Sequence, residues 1–215
     1  DDNGDHRIQH GLGAVPHLII TKERDGTYQW YTYHHKVTDD NDYLRFDIPD
    51  ALSNAGARNV FDGSDFTSTY FEMDNNNIIQ DSKTYVAYCF TEIQGYSKFG
   101  SYTANNSTNG PFVYLGFKPS WVMVRNTSAA ADWPITDNKR EAGNPFGEEM
   151  LFANVADAET NYTGGGIDFL SNGFKIRSSG TNGVHNANNT SHTFIYMAFA
   201  ESPFVSSKGV PTTAK

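Results

Sequence analysis

The chain has 215 residues, a formal net charge of -9, and a composition that is 14% aromatic but only 19% charged. A chain this acidic repels a phosphate backbone, so nucleic acid is not an expected partner. No run of the sequence approaches the ~18 consecutive apolar residues of a membrane-spanning helix, which argues against membrane insertion.

Parts of the sequence recur in the same order roughly a hundred residues apart. The run Leu12–Lys22 returns as Leu115–Arg125, and Trp30 returns as Trp133, both at an offset of 103 residues. Later segments recur at offsets of 107 and 109, so the loops differ in length while the apolar runs do not. This pattern predicts two tandem pseudo-repeats, in which a residue shared by both copies belongs first to the scaffold.

The recurring segments also predict where the repeats begin and end. The segment between them contains Thr103–Gly110, a run of turn-forming residues with little to bury, so we expect an exposed loop there. In chain order we predict an N-terminal extension (1–9), a first repeat (10–96), a connecting loop (97–111), a second repeat (112–204) and a C-terminal tail (205–215).

Within each repeat, apolar runs of about four to eight residues are bounded by Gly, Pro, Asn or Asp, a pattern that favours buried strands over amphipathic helices. The first matched pair of such runs is Leu18–Thr21 and Trp121–Val124, each entered through a proline. The second pair is Tyr85–Phe90 and Phe194–Phe199. These runs have the length and aromatic content expected of central strands.

The segment Asp168–Arg177 predicts a hairpin, because Asn172-Gly173 can supply the positive φ angles of a tight turn. Short helices around Asp50–Ala57 or Glu148–Ala153 are the minor alternative to strands. The predicted fold is therefore all-β: an antiparallel β-sandwich of the jelly-roll or lectin-like kind, built from two tandem pseudo-repeats.

Candidate metal ligands and nucleophiles are few. Cys89 is the only cysteine and lies inside an apolar run, where a thiol usually behaves as a small hydrophobe. His34 and His35 are adjacent, and neighbours on a strand face opposite sides of the sheet, so we expect a surface pair rather than a metal site. The acid-rich turns at 1–5 and 39–42 lack the spacing of a Ca²⁺ loop. We predict neither a metal nor a cofactor.

A catalytic carboxylate pair is the other chemistry to consider. Asp65 and Asp168 recur at equivalent positions, which suits a turn or strand-start residue in each repeat better than two halves of a glycosidase site. The sequence contains none of the common hydrolase or phosphate-binding motifs. We therefore expect a non-enzymatic protein.

Ligand binding is expected where the two repeats disagree. Aromatic residues around Trp30 could form a shelf that stacks on sugar rings, although the alternative is that Trp30 packs between sheets. The copies also differ in the segment from 31 to 42 and in their Asn-rich loops. The candidate ligand-binding residues are Tyr31, Tyr33, His34, Asn106 and Asn188.

Two long segments carry a resemblance to a known kind of domain. Tyr85–Thr103 followed by Asn109–Val124 resembles a β-rich domain of virion proteins in tailed bacteriophages, notably marine ones. The resemblance extends to His10–Pro16 and Asp168–Lys175 and covers nearly all of the chain from 10 to 204. It implies a portion of a tail fibre, tail spike or other surface-appended virion protein, and it carries over no catalytic residues.

From these observations the leading hypothesis is a virion structural protein on the extracellular surface of a tailed phage, either in the tail or decorating the capsid. Its expected partners are other virion proteins, copies of itself and a host-surface glycan. The rival is a carbohydrate-binding module or a depolymerase, and a third reading is the subunit of an extracellular filament.

Overall fold

The computed structural model describes residues 6–37, 42–54, 60–61, 66–73, 80, 82–140, 143–144, 149–161, 166–178, 191–202, 204–205 and 211–212. Every regular element among them is a β-strand, and the strands form antiparallel sheets, so the predicted all-β, sandwich-like class is confirmed. In this part of the chain no helix is long and apolar enough to cross a membrane. The chain divides into two compact units, Asp1–Thr91 and Glu92–Lys215.

The first unit has a five-stranded and a two-stranded sheet. Its strands are β1 (His6–Gln9), β2 (Leu18–Glu23), β3 (Tyr31–His34), β4 (Asp42–Arg45), β5 (Ser53–Asn54), β6 (Tyr70–Met73) and β7 (Tyr85–Phe90). The larger sheet has the order β5-β4-β3-β2-β7, and β1 pairs with β6. Apolar side chains from both sheets, including Ile19, Tyr31, Phe71 and Met73, pack into one core.

The second unit has a six-stranded sheet of order β13-β12-β11-β10-β16-β8, a three-stranded sheet of order β14-β15-β9, and the pair β17-β18. Aromatic and aliphatic residues of the two larger sheets, among them Tyr102, Phe174, Phe194 and Tyr196, form its core. The strands of this unit are β8 (Ser97–Thr103), β9 (Phe112–Tyr114), β10 (Pro119–Asn126), β11 (Pro134–Asp137), β12 (Glu149–Phe152), β13 (Thr160–Asn161), β14 (Ile167–Leu170), β15 (Gly173–Ile176), β16 (Thr193–Ala200), β17 (Phe204–Val205) and β18 (Pro211–Thr212).

Strand pairing in the two units matches at the offsets seen in the sequence. Leu18 lies opposite Phe90 in the first unit, and Trp121 lies opposite Phe199 in the second. The orders β5-β4-β3-β2-β7 and β13-β12-β11-β10-β16 follow the same path through the sequence. The two-repeat interpretation stays a prediction, and these matched pairs favour it.

A loop contact is matched in the same way. The backbone N–H of Trp30 donates to Asp47 Oδ1 at 3.0 Å, and the backbone N–H of Trp133 donates to Asn154 Oδ1 at 2.8 Å. A carboxylate and an amide both offer an acceptor oxygen, so either residue type can hold the start of the following strand.

Three segments that we expected outside the repeats contain strands, and one of them is the C-terminal tail (205–215), where β18 pairs with β17. Residues 97–103, expected in the connecting loop, form β8. Phe99 and Tyr102 of this strand are buried, and most of the residues beside them in the sequence are polar. Residues 6–9, expected in an N-terminal extension, form β1, in which Ile8 lies opposite Phe71 and Arg7 pairs with Glu72 at 3.0 Å. β1 and β8 contain too few apolar residues to be recognised as strands from the sequence, because only one or two side chains of each face a core.

The predicted hairpin at 168–177 is confirmed by β14 and β15, but its turn works differently. Leu170 pairs with Gly173, and neither Asn172 nor Gly173 has a positive φ. A Cβ on Gly173 would lie 2.1 Å from the carbonyl oxygen of Val113 in β9, so glycine is required there by the close approach of a backbone. The minor helical alternative at 148–153 is wrong, since β12 occupies 149–152.

Candidate functional site

A polar basin of about 510 Å3 lies in the second unit, where β11 ends beside the start of β10. One aromatic ring, Trp121, and a set of charged or amide side chains line it. The lining residues are Ser120, Trp121, Asp137, Asn138, Lys139, Arg140 and Glu201.

The turn after β11 is held by the carboxylate of Asp137, the last residue of that strand. Asp137 Oδ1 accepts hydrogen bonds from the backbone N–H groups of Lys139 at 2.8 Å and Arg140 at 3.2 Å. Its second oxygen accepts from Arg140 Nε at 2.8 Å, and the same guanidinium also contacts Glu159. An Asp that closes its own turn in this way fixes the side chains that follow it.

Trp121 forms the aromatic wall of the basin. It lies opposite Asp137 and Phe199 in the sheet and is partly buried. Its ring rests against Phe199 at a centroid distance of 5.7 Å, which holds it in place. A tryptophan ring that is supported by packing and still borders an open cavity can stack on an apolar face of a ligand.

The lining also contains hydrogen-bonding groups in fixed positions. Asn138 Nδ2 donates to Glu201 Oε1 at 2.8 Å, while Lys118 Nζ pairs with Glu201 Oε2 at 2.6 Å. The hydrogen bond from Lys118 lowers the pKa of Glu201 below its ordinary value, so this carboxylate is ionised at neutral pH. Asn138 Oδ1 is buried and accepts no hydrogen bond from any described residue.

The charges of the basin largely cancel. Arg140 pairs with Asp137 and Glu159, and Lys118 pairs with Glu201. Such a site repels neither a neutral nor a weakly charged ligand, and it offers both donors and acceptors beside an aromatic face. This combination suits a polar ligand with an apolar face, such as a sugar ring.

A family model for DUF7483, described as a domain of unknown function, matches residues 2–203. The chain belongs to the DUF7483 family. No curated protein and no solved structure matches this DUF7483 chain.

In the first unit of the DUF7483 chain, histidines occupy the positions equivalent to Ser120, Asp137 and Asn138 of the basin. His17 and His35 stand with ring centroids 4.5 Å apart, and His34 and His35 are 5.2 Å apart. The expectation of a surface pair was wrong for His34, whose exposed fraction is 1% and whose Nδ1 accepts from the backbone N–H of Lys36. The strand ends at His34, so the alternation of faces does not extend to His35. Among the described residues, no group of three or more His, Cys, Asp or Glu is placed to hold a metal ion.

The predicted ligand-binding tyrosines of β3 belong to the core of the first unit. Tyr31 and Tyr33 pack in the first unit's core, where Tyr31 contacts Tyr43 and Tyr33 contacts Phe66. Burial raises the pKa of Tyr31 to about 12. These two residues therefore do not form an exposed shelf.

The other predicted residues lie in loops or beyond the described structure. Asn106 is exposed in the second unit, with a φ of 52°. Asn188 and Asp65 lie outside the described residues. Asp168 pairs with Arg177 at 2.5 Å on the β14–β15 hairpin, as expected of a scaffold residue.

Sequence reasoning did not single out the residues of the basin. The signal available for it was a difference between the repeats, since Trp121 takes the position of Leu18. The segment from 31 to 42 also differs from residues 134–149 of the second repeat, which include the turn after β11, but the contribution of Glu201 depends on the pairing of β10 with β16.

Cys89 lies beside a cavity of the first unit, and burial raises the pKa of its thiol to about 11. The thiolate is the reactive form, so we expect slow alkylation by iodoacetamide at pH 7 and a rate that rises close to tenfold per pH unit up to about pH 10. Mass spectrometry of the single cysteine, with the urea-unfolded chain as reference, measures this rate. Equal rates at pH 7 in the folded and unfolded chains would contradict the burial of the thiol.

Proposed function

We propose that this DUF7483 chain is a non-enzymatic protein on the surface of a tailed-phage virion, and that it contacts a host-surface glycan through the basin of its second unit. The observation that carries the glycan proposal is the position of Trp121 beside Asp137, Asn138 and Glu201. An aromatic face next to fixed acceptors and donors complements a sugar, which has both an apolar face and hydroxyl groups.

The virion part of the proposal is supported by the sequence resemblance, which spans nearly the whole chain. The raised pKa of Cys89 argues against this thiol as a catalytic nucleophile, because a thiol protonated at neutral pH reacts slowly. Within this proposal, the partners are other virion proteins and further copies of the chain.

The glycan proposal predicts a large effect of one substitution. Trp121→Ala is expected to weaken binding at least tenfold on an array of bacterial surface polysaccharides, because the stacking surface is lost while the ion pairs of the basin remain. The matched control is Tyr28→Ala, which removes an aromatic side chain of the first unit that is 44% exposed. This control is expected to bind as the wild type does.

Two results would overturn the proposal in separable ways. If the wild-type chain retains no polysaccharide, or if Trp121→Ala binds as well as wild type while its circular dichroism is unchanged, the glycan assignment fails. If mass spectrometry of purified phage virions does not detect the chain, the virion assignment fails. Release of new reducing ends from a bound polysaccharide would replace the non-enzymatic role with that of a depolymerase.

A further inference from the structure

A second cavity, of about 550 Å3, lies between the two sheets of the first unit. One side is formed by β1 and β6, through Ile8, Phe71 and Met73 among others. The other side is formed by Thr21 of β2 and by Tyr85, Ala87 and Cys89, which alternate along β7. The cavity therefore follows the inner face of β7.

In the second unit, β8 fills the position that corresponds to this cavity. β8 pairs antiparallel with β16, the counterpart of β7, and places Tyr102 opposite Phe194. The Tyr102 ring lies 5.2 Å from Phe194 and 6.2 Å from Phe174. At the offsets of 109 and 103, Phe194 and Phe174 correspond to Tyr85 and Phe71, and both of these line the first-unit cavity.

The backbone of β7 is oriented to accept such a strand. Arg24 N–H donates to the carbonyl oxygen of Thr84, and the register of β2 with β7 places Val86 and Tyr88 on that same side. Alternation then turns the backbone groups of Ala87 and Cys89 away from β2. β7 is the last strand of its sheet among the described residues, whereas β16 continues to β8.

We propose that the edge of β7 and the adjoining cavity form an acceptor site for an extended strand of another polypeptide chain. The strand runs antiparallel to β7, as β8 does to β16, and inserts a large apolar side chain between the sheets. It carries a β8-like pattern, with every second residue facing the cavity. This site is separate from the glycan basin and would serve assembly rather than attachment.

The two units also differ in the size of the side chain that fits opposite position 87 of β7 or its equivalent in β16. In the second unit, Gly100 lies opposite Tyr196, and a Cβ on Gly100 would come within 2.4 Å of the Tyr196 hydroxyl oxygen. The first unit has Ala87 at the position of Tyr196. The space that the tyrosine ring would occupy is left to the incoming strand, so a residue larger than glycine fits opposite Ala87.

The test uses the full chain and fluorescent peptides with the sequence of residues 96–104, which contain β8 and one residue on each side of it. We expect the peptide with Gly100→Leu to bind wild-type chain at least tenfold more tightly than the parent peptide, as measured by anisotropy. We expect Ala87→Tyr to reverse this order, because a tyrosine at 87 recreates the environment of Gly100. The peptide with Gly100→Leu is not expected to displace β8 from β16, because the Tyr196 ring lies where its leucine side chain would start.

Two further measurements do not depend on the Ala87→Tyr variant. N-methylation of residue 100 in the leucine peptide removes an N–H that would face β7 and should weaken binding at least tenfold, whereas N-methylation at residue 101, on the outer side, should not. Bound peptide should also slow alkylation of Cys89 at least fivefold. Binding no tighter than that of a scrambled peptide, or binding that leaves the Cys89 rate unchanged, would overturn the proposal.

Discussion

Gly173→Ala is expected to lower the free energy of unfolding by about 3 kcal/mol, as a close contact with rigid backbone requires. The new Cβ would lie 2.1 Å from the carbonyl oxygen of Val113 and 3.2 Å from the backbone nitrogen of Leu115. Val113 lies in β9, which pairs with β15, and the backbone N–H of Leu115 donates to the carbonyl oxygen of Asn172, so neither atom can move without breaking these hydrogen bonds. Equilibrium urea unfolding followed by circular dichroism measures the loss.

The control for this substitution is Gly143→Ala. A Cβ on Gly143 would meet no described atom within 4 Å, and its φ is not positive. We expect the stability of that variant to stay within about 0.5 kcal/mol of the wild type. Equal losses at the two glycines would show that the approach of β9 does not dictate the residue at 173.

Three of the strands that sequence analysis located correctly contain an uninterrupted apolar run. β2, β10 and β16 are buried along most of their length, so their segments of the sequence consist mainly of apolar residues. β1 and β8 were missed for the opposite reason. Each lies at an edge of its sheet, where polar residues alternate with the few side chains that enter the core.

The aromatic residues of β3 show why alternation alone could not identify a binding surface. Tyr31 is only 7% exposed, and Tyr33 packs against Phe61 and Phe66. A period of two tells which residues share a face of the sheet, but whether that face is covered depends on the second sheet. The basin could not be predicted as a unit either, because Glu201 meets Asn138 only after β10 and β16 pair.

The cavity of the first unit has two sources: no described strand takes the place of β8 beside β7, and one large side chain is missing. Ala87 stands where the second unit has Tyr196. Sequence comparison can supply such pairs, but an exchange of large for small is often compensated by repacking of neighbours. Here the compensation is incomplete, and a cavity of about 550 Å3 is left.

Trp133→Ala is expected to lower the free energy of unfolding by about 4 kcal/mol, the range found for large aromatic residues removed from a core. Trp133 is 2% exposed and is among the largest fully enclosed side chains of the described structure. The guanidinium of Arg125, itself buried, lies 5.2 Å from the centre of the indole ring. Truncation would leave a cavity and would remove the aromatic neighbour of a buried cation, and both effects lower the stability of the folded state.

The matched comparison is Trp30→Ala in the first unit. Trp30 is at the equivalent sequence position and makes the same backbone hydrogen bond as Trp133, but its ring is only partly buried. Its ring stacks at 6.3 Å on Tyr88, which is 48% exposed, and we expect Trp30→Ala to lose only about 1 kcal/mol. Hydrogen exchange should show faster opening of β10 and β11 in the Trp133 variant. Similar losses in the two variants would mean that the shared loop hydrogen bond, rather than the buried ring, makes tryptophan necessary at both positions.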